Sequence, residues 1–113
     1  AGTGGNGSDL GFIEVDREDW HNRMRVVELL VLEPYRGRGI GKALLDAAKS
    51  LAAQEGYREV VLETQSCNAP AIGFYLSQGF SVVGIDLSCY TDSDLERGEV
   101  RLEMAFKVQG VRP

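Results

Sequence analysis

Cysteine, histidine and basic charge are all scarce in this chain of 113 residues, and each shortage closes off a class of function. There are two cysteines, Cys67 and Cys89, and a pair at that spacing fits free thiols better than a disulfide framework or a metal cluster. His21 is the single histidine and has no second His or Cys at zinc-motif spacing, so no metal is expected. Twelve basic against seventeen acidic side chains leave a net charge of -5, which argues against the broad basic footprint of nucleic-acid binders. Apolar runs stop well short of the roughly 20 residues that span a bilayer, so no membrane contact is expected. No charged-then-apolar leader opens the chain, and a cytoplasmic location is the expectation.

What is present is the composition of one small globular domain, 43% hydrophobic and 26% charged. Residues 1–10 hold four of the fourteen glycines and read as a flexible lead-in, with the domain proper over 11–113. Gly11 to Val15 reads as a short strand, Asp16 to Arg23 as a polar connection, and Met24 to Leu32 as a buried strand that Pro34 brings to an end. Apolar residues at Ile40, Ala43, Leu44, Ala47, Ala48, Leu51 and Ala52 follow helical spacing, with Gly56 as the stop. Glu59 to Glu63 reads as a further strand. Asn68 suits the N-cap of a short helix running from Ala69 to about Gln78, with Pro70 in its first turn and Gly79 after it. Phe80 to Tyr90 and Glu99 to Val108 complete the pattern as a hairpin joined by the polar turn Thr91 to Gly98. The order contains a βαβ unit and predicts a mixed sheet with helices over its faces.

The segment richest in chemistry is Tyr35-Arg36-Gly37-Arg38-Gly39-Ile40-Gly41-Lys42, where the buried strand hands over to the amphipathic helix. Glycines let the backbone turn with its N–H groups converging, and the helix N-terminus adds partial positive charge, a combination suited to phosphate. Arg36, Arg38 and Lys42 add formal charge. A P-loop is excluded because Arg36 and Ala43 stand where it needs Gly and Ser or Thr. A dinucleotide fingerprint is excluded because Lys42 occupies its third glycine position.

Arg36, Gly39 and Gly41 fit the arginine-or-glutamine, x, x, Gly, x, Gly-or-Ala signature of the GNAT superfamily of N-acetyltransferases. Leu29 to Leu45 resembles that family's pyrophosphate-binding block, and Asn68 to Phe80 resembles its second block. The ending, Tyr90-Thr91-Asp92 through Arg101-Leu102-Glu103-Met104, is similar to members of the streptothricin acetyltransferase type. The resemblance covers roughly Gly11 to Val108. It implies an α/β (α+β) fold with a mixed, largely antiparallel sheet and helices on both faces, and acetyl-CoA as co-substrate. It also implies that the pyrophosphate rests on the amides of Gly37, Arg38, Gly39, Ile40, Gly41 and Lys42, with Arg36 alongside. The pantetheine arm would run beside the backbone of Leu30, Val31 and Leu32, which can mimic a neighbouring strand.

Acyl transfer to an amine needs one group to take a proton from the ammonium and another to protonate the departing thiolate. By resemblance Tyr75 is the acid, and Asn68 is both a cap and a ligand contact. Glu28 is the base candidate because Glu28, Leu30 and Leu32 share one strand face, where burial in an apolar row would favour uptake of a proton. Glu103 in the last strand is a second carboxylate and Glu14 a third, and the alternative role for any of the three is to bind a cationic acceptor electrostatically. Cys67 has no local partner to activate it and is read as a bystander.

A complete domain of this family has another strand and a pair of helices ahead of the strand at Gly11, whereas here ten Gly-rich residues precede it. Three readings therefore stand: an N-acetyltransferase acting on a primary amine of a small molecule or peptide; a CoA-binding module without turnover; and a truncated fragment that is folded but inactive or works only with a partner chain. An exposed sheet edge invites pairing, so a homodimer, or a partner that completes the sheet, is also expected.

Overall fold

The computed structural model describes residues 3–8, 11–32 and 38–110. They fall into two compact units, Ala1–Val60 with Lys107–Pro113, and Val61–Phe106.

In the first unit, strands β1 (Thr3–Ser8), β2 (Gly11–Glu18) and β3 (Arg23–Val31) pair antiparallel in that order. The strand at Thr3–Ser8 corrects the reading of 1–10 as a lead-in: its register runs from Thr3↔Asp16 to Ser8↔Gly11. Edge pairing uses main-chain N–H and C=O groups, which glycines supply as well as any residue. Residues 1–2 and 9–10 lie outside the described residues. At Gly11 a side chain is excluded, since a Cβ there would run into the carbonyl oxygen of Leu30.

β2 also runs further than its apolar residues predict, taking in Asp16, Arg17 and Glu18. Two of these charged positions are satisfied laterally: Glu18 accepts from Arg23 Nε at 2.8 Å and Arg25 Nε at 2.7 Å, and Arg17 grips Glu55 through two bonds of 2.7 and 2.9 Å. The connection to β3 shrinks to a single 3-10 turn, Asp19–His21, closed by Asn22 in the left-handed region at φ 52.

Helix α1 (Ile40–Glu55) ends at Gly56, whose φ of 79 suits a left-handed C-cap. Its buried stripe is Leu44, Leu45, Ala48 and Ala52, which joins Ile13, Val15, Met24 and Val26 in the core of this unit. Leu45, outside the row expected from sequence spacing, is fully buried, whereas Ala43 is exposed. Just after the helix, Tyr57 donates its hydroxyl to Asp19; that bond, followed by burial, pushes the phenol up to about 12. Buried Glu59 is surrounded by cations, with Arg58 at 3.3 Å, Arg23 at 3.9 Å and Lys107 closer still.

The second unit holds strands β4 (Glu59–Gln65, whose first two residues belong to the first unit), β5 (Ser81–Asp86) and β6 (Arg101–Lys107) in the order β4-β6-β5. With them are helices α2 (Ala69–Ser77) and α3 (Asp94–Arg97). The hairpin β5–β6 forms as expected, with a bulge between Val82 and Gly84. β5 stops at Asp86 rather than Tyr90 because Asp86 folds back to accept from the amide of Ser88 at 3.0 Å. The connection that follows is organised by buried Asp94, which accepts from Tyr90 N at 2.8 Å, Thr91 N at 2.6 Å and Thr91 Oγ1 at 2.8 Å. Val61, Leu62, Phe80, Val100, Met104 and Ala105 form the core of this unit. Among the described residues no helix is long and apolar enough to cross a membrane.

Candidate active site

The anion-type turn is built where α1 begins. Gly39 is its N-cap at φ 77, and the amide of Ala43 makes the first helical bond, to the Gly39 carbonyl at 3.0 Å. A Cβ at Gly39 would meet nothing within 4 Å, so glycine is needed for backbone conformation rather than for space. No side chain caps this end, which leaves the amides of Ile40, Gly41 and Lys42 without intrahelical acceptors and directed outwards. Exposed Arg38 stands just before them. Lys42 is not the free cation that its place in the motif suggests: its Nζ donates to Asp46 Oδ2 at 2.7 Å, one turn on. That bond holds the Asp46 carboxyl below its usual range. Arg36 and Gly37 lie outside the described residues.

β3 leads toward this turn and carries the other donor-side candidates. Opposite pairs run Val15↔Val26 and then Glu14↔Glu28, so Val27 is an extra residue, a β-bulge. Beyond it the faces reset: Leu29 and Val31 turn to the half-buried side, while Glu28, Leu30 and Leu32 share the exposed side, with Leu30 37% and Leu32 43% exposed. The shared face is as expected from alternation; the burial of Glu28 is not, because the carboxylate is exposed. What sequence spacing could not show is that Glu28 sits directly opposite Glu14. An even strand alternation hides this, since the bulge shifts the register by one residue.

In the second unit Asn68 caps α2, its Oδ1 accepting from the Ala71 amide at 3.3 Å, with Pro70 in the first turn. Tyr75 on that helix is half-buried, its ring 5.5 Å from Phe74 and 5.9 Å, edge-on, from Phe80. Burial pushes its phenol up, so the hydroxyl stays protonated at neutral pH. Cys67 and Cys89 are exposed free thiols; Cys67 Sγ lies 3.7 Å from the Gln65 amide oxygen. Glu103 belongs to a separate polar cleft of about 160 Å³ with Gly84, Ile85, Asp86 and Arg101, where Arg101 also pairs with Glu63. Asp86 and Arg101 were not singled out from sequence; the signal available was their opposition in the hairpin register. Among the described residues no group of three His, Cys, Asp or Glu side chains is placed to hold a metal.

Comparison with known proteins decides what this arrangement belongs to. A sequence model described as the Acetyltransferase (GNAT) family matches residues 6–80, which include β2, β3, α1, β4 and α2. The chain belongs to the GNAT family. As a GNAT domain it is 34% identical over 104 residues to a streptothricin acetyltransferase of Streptomyces lavendulae, covering 92% of this chain and 54% of that protein. Its fold superposes on a nourseothricin acetyltransferase crystal structure with a TM-score of 0.77 at 36% identity, over 88% of this chain and 58% of the other. A putative streptothricin acetyltransferase from Bacillus anthracis, solved in complex with acetyl coenzyme A, gives a TM-score of 0.77 at 32% identity, over 87% of this chain and 55% of the other. This GNAT chain thus spans about half the length of the relatives it matches. The mixed, largely antiparallel architecture expected from sequence is the fold of these relatives.

Proposed function

We propose that the chain is the donor-binding part of an N-acetyltransferase that moves an acetyl group from acetyl-CoA to a primary amine of a small molecule or peptide. The observation that carries this is the uncapped, glycine-initiated N-terminus of α1 following the bulged strand β3, inside the segment matched by the family. The outward amides of Ile40 to Lys42 with Arg38 suit the pyrophosphate, joined by Arg36 and Gly37. The backbone of Leu30, Val31 and Leu32 suits the pantetheine amides, and Asn68 is offered as a further ligand contact.

In the reaction, Glu28 takes a proton from the acceptor ammonium, and the freed amine attacks the thioester carbon. The carbon–sulfur bond then breaks, the departing thiolate takes the Tyr75 hydroxyl proton, and the second proton of the acceptor nitrogen returns to the Tyr75 phenolate as the amide forms, while the proton held by Glu28 passes to solvent. The products are the acetylated amine, free CoA and one proton released to solvent. Exposure of Glu28 suits proton exchange with solvent between turnovers.

The test is calorimetry of acetyl-CoA binding, with an adenine dinucleotide as comparison and an amine screen by thiol release. CoA-selective binding with turnover supports the transferase. CoA-selective binding without turnover supports the second reading, a CoA-binding module or fragment that works with a partner chain, which the half-length match to relatives favours. No CoA binding refutes both. The exposed thiols suit a reducing compartment, and a cytoplasmic location is proposed. β5 ends its strand order and exposes Val82, Val83 and Ile85, so a homodimer through this strand is also proposed, to be checked by light scattering.

A further inference from the structure

We infer that Glu14 is a specificity-determining residue for the acceptor: together with Glu28 it seats a protonated amine and selects acceptors that carry a second cationic group. The inference rests on the transferase reading above, but it is carried by an arrangement that reading does not use.

Glu14 and Glu28 occupy directly opposite positions of β2 and β3, so their side chains leave the sheet on one face. Opposite residues have Cβ atoms about 5 Å apart, near enough for two carboxylates to share one ammonium. The other described glutamates of this unit are each held by cations: Glu18 by Arg23 and Arg25, Glu55 by Arg17, and Glu59 by Arg58 and Lys107. Among the described residues Glu14 and Glu28 have no such partner. Arg25, the cation opposite Asp16 farther along this face, already donates its Nε to Glu18 at 2.7 Å. On the other side the next pair is Phe12↔Leu30, so the face changes from doubly acidic to apolar within one step toward the end of β3. Like charges directly opposed disfavour a sheet, and a local rule broken without internal compensation marks a functional position.

The pair solves a charge problem in the reaction. When Glu28 takes the acceptor proton it becomes neutral and loses its hold on the substrate, whereas Glu14 keeps its negative charge. An acceptor with a second ammonium stays seated on Glu14 while its other amine, now neutral, is free to attack.

Calorimetry with cadaverine and pentylamine as probes, on the wild-type chain and on Glu14→Gln, tests this. Cadaverine should bind the wild type more tightly than pentylamine, and Glu14→Gln should weaken cadaverine about tenfold, the effect of one charged contact. Acetyl-CoA affinity should stay within about twofold. Glu14→Asp should recover most of the cadaverine affinity. With no acceptor present, Glu14→Gln should melt above the wild type, because it relieves a like-charge contact; a merely structural Glu14 would give a lower melting temperature. Unchanged cadaverine affinity, a lower melting temperature, or no cadaverine binding by a wild-type chain that binds acetyl-CoA overturns the assignment. Failure of the wild type to bind acetyl-CoA instead overturns the transferase reading.

Discussion

Replacing Tyr75 by Phe isolates a single hydroxyl. The ring lies 5.5 Å from Phe74 and 5.9 Å from Phe80, and Phe fills the same volume with the same contacts. Among the described residues the Tyr75 hydroxyl has no hydrogen-bond partner, so its removal strands no donor or acceptor. Folding stability should therefore change by less than about 0.5 kcal/mol. Catalysis should not be spared. Burial pushes this phenol up and keeps it protonated, and a positioned general acid contributes about a hundredfold or more, some 2.7 kcal/mol of barrier. Thiol release at saturating acetyl-CoA and amine should fall by at least that factor, with acetyl-CoA affinity measured by calorimetry unchanged. The contrast with Tyr75→Ala is informative, since Ala also deletes the ring packing and should cost about 2 kcal/mol of stability. Turnover of Tyr75→Phe equal to wild type, with the fold and donor affinity intact, would refute the acid role.

Three further outcomes follow from the geometry. Leu45→Ala removes a fully buried side chain from the face of α1 packed in the first unit and should cost about 3 kcal/mol, read from the urea midpoint. Gly39→Ala places a Cβ on a residue at φ 77 and should weaken acetyl-CoA binding and lower stability by about 1 kcal/mol, while Gly39→Asn, which tolerates that conformation, should retain more of both; equal behaviour of the two variants would contradict a backbone requirement. Burial alone would push Glu18 up, but Arg25 and Arg23 outweigh it and hold the carboxyl below its ordinary value of 4.5. A lowered carboxyl contributes stability that is present above the unfolded value and is lost as pH falls through the folded one. Thermal melts taken from about pH 6 down to about pH 3 should therefore show the wild type losing more than Glu18→Gln, and parallel losses would count against the linkage.

Much of the chain could be read without a structure because the deciding forces were local. The 3.6-residue spacing and Gly56 mark α1, Asn68 with Pro70 marks α2, and β-branched runs mark the cores of β3 and β4, each element carrying its own start or stop. The start of α1 at a glycine was legible because backbone conformation and helix polarity depend on neighbouring residues alone, and the proposed anion site rests on that start. Tertiary structure decided the rest. Thr3–Ser8 is a strand because β2 offers it an edge, not because its own residues prefer one. Arg17 and Glu18 extend β2 because Glu55, Arg23 and Arg25 arrive from elsewhere to neutralise them. Glu14 faces Glu28 because one extra residue, Val27, shifts a register that is set by two strands together. Sequence by itself thus determined the elements that carry their own start and stop signals, α1, α2 and the cores of β3 and β4, since those follow from short-range backbone preference. Which charges are paired and which are left facing one another depends on strand register and packing, and only the folded chain decides that.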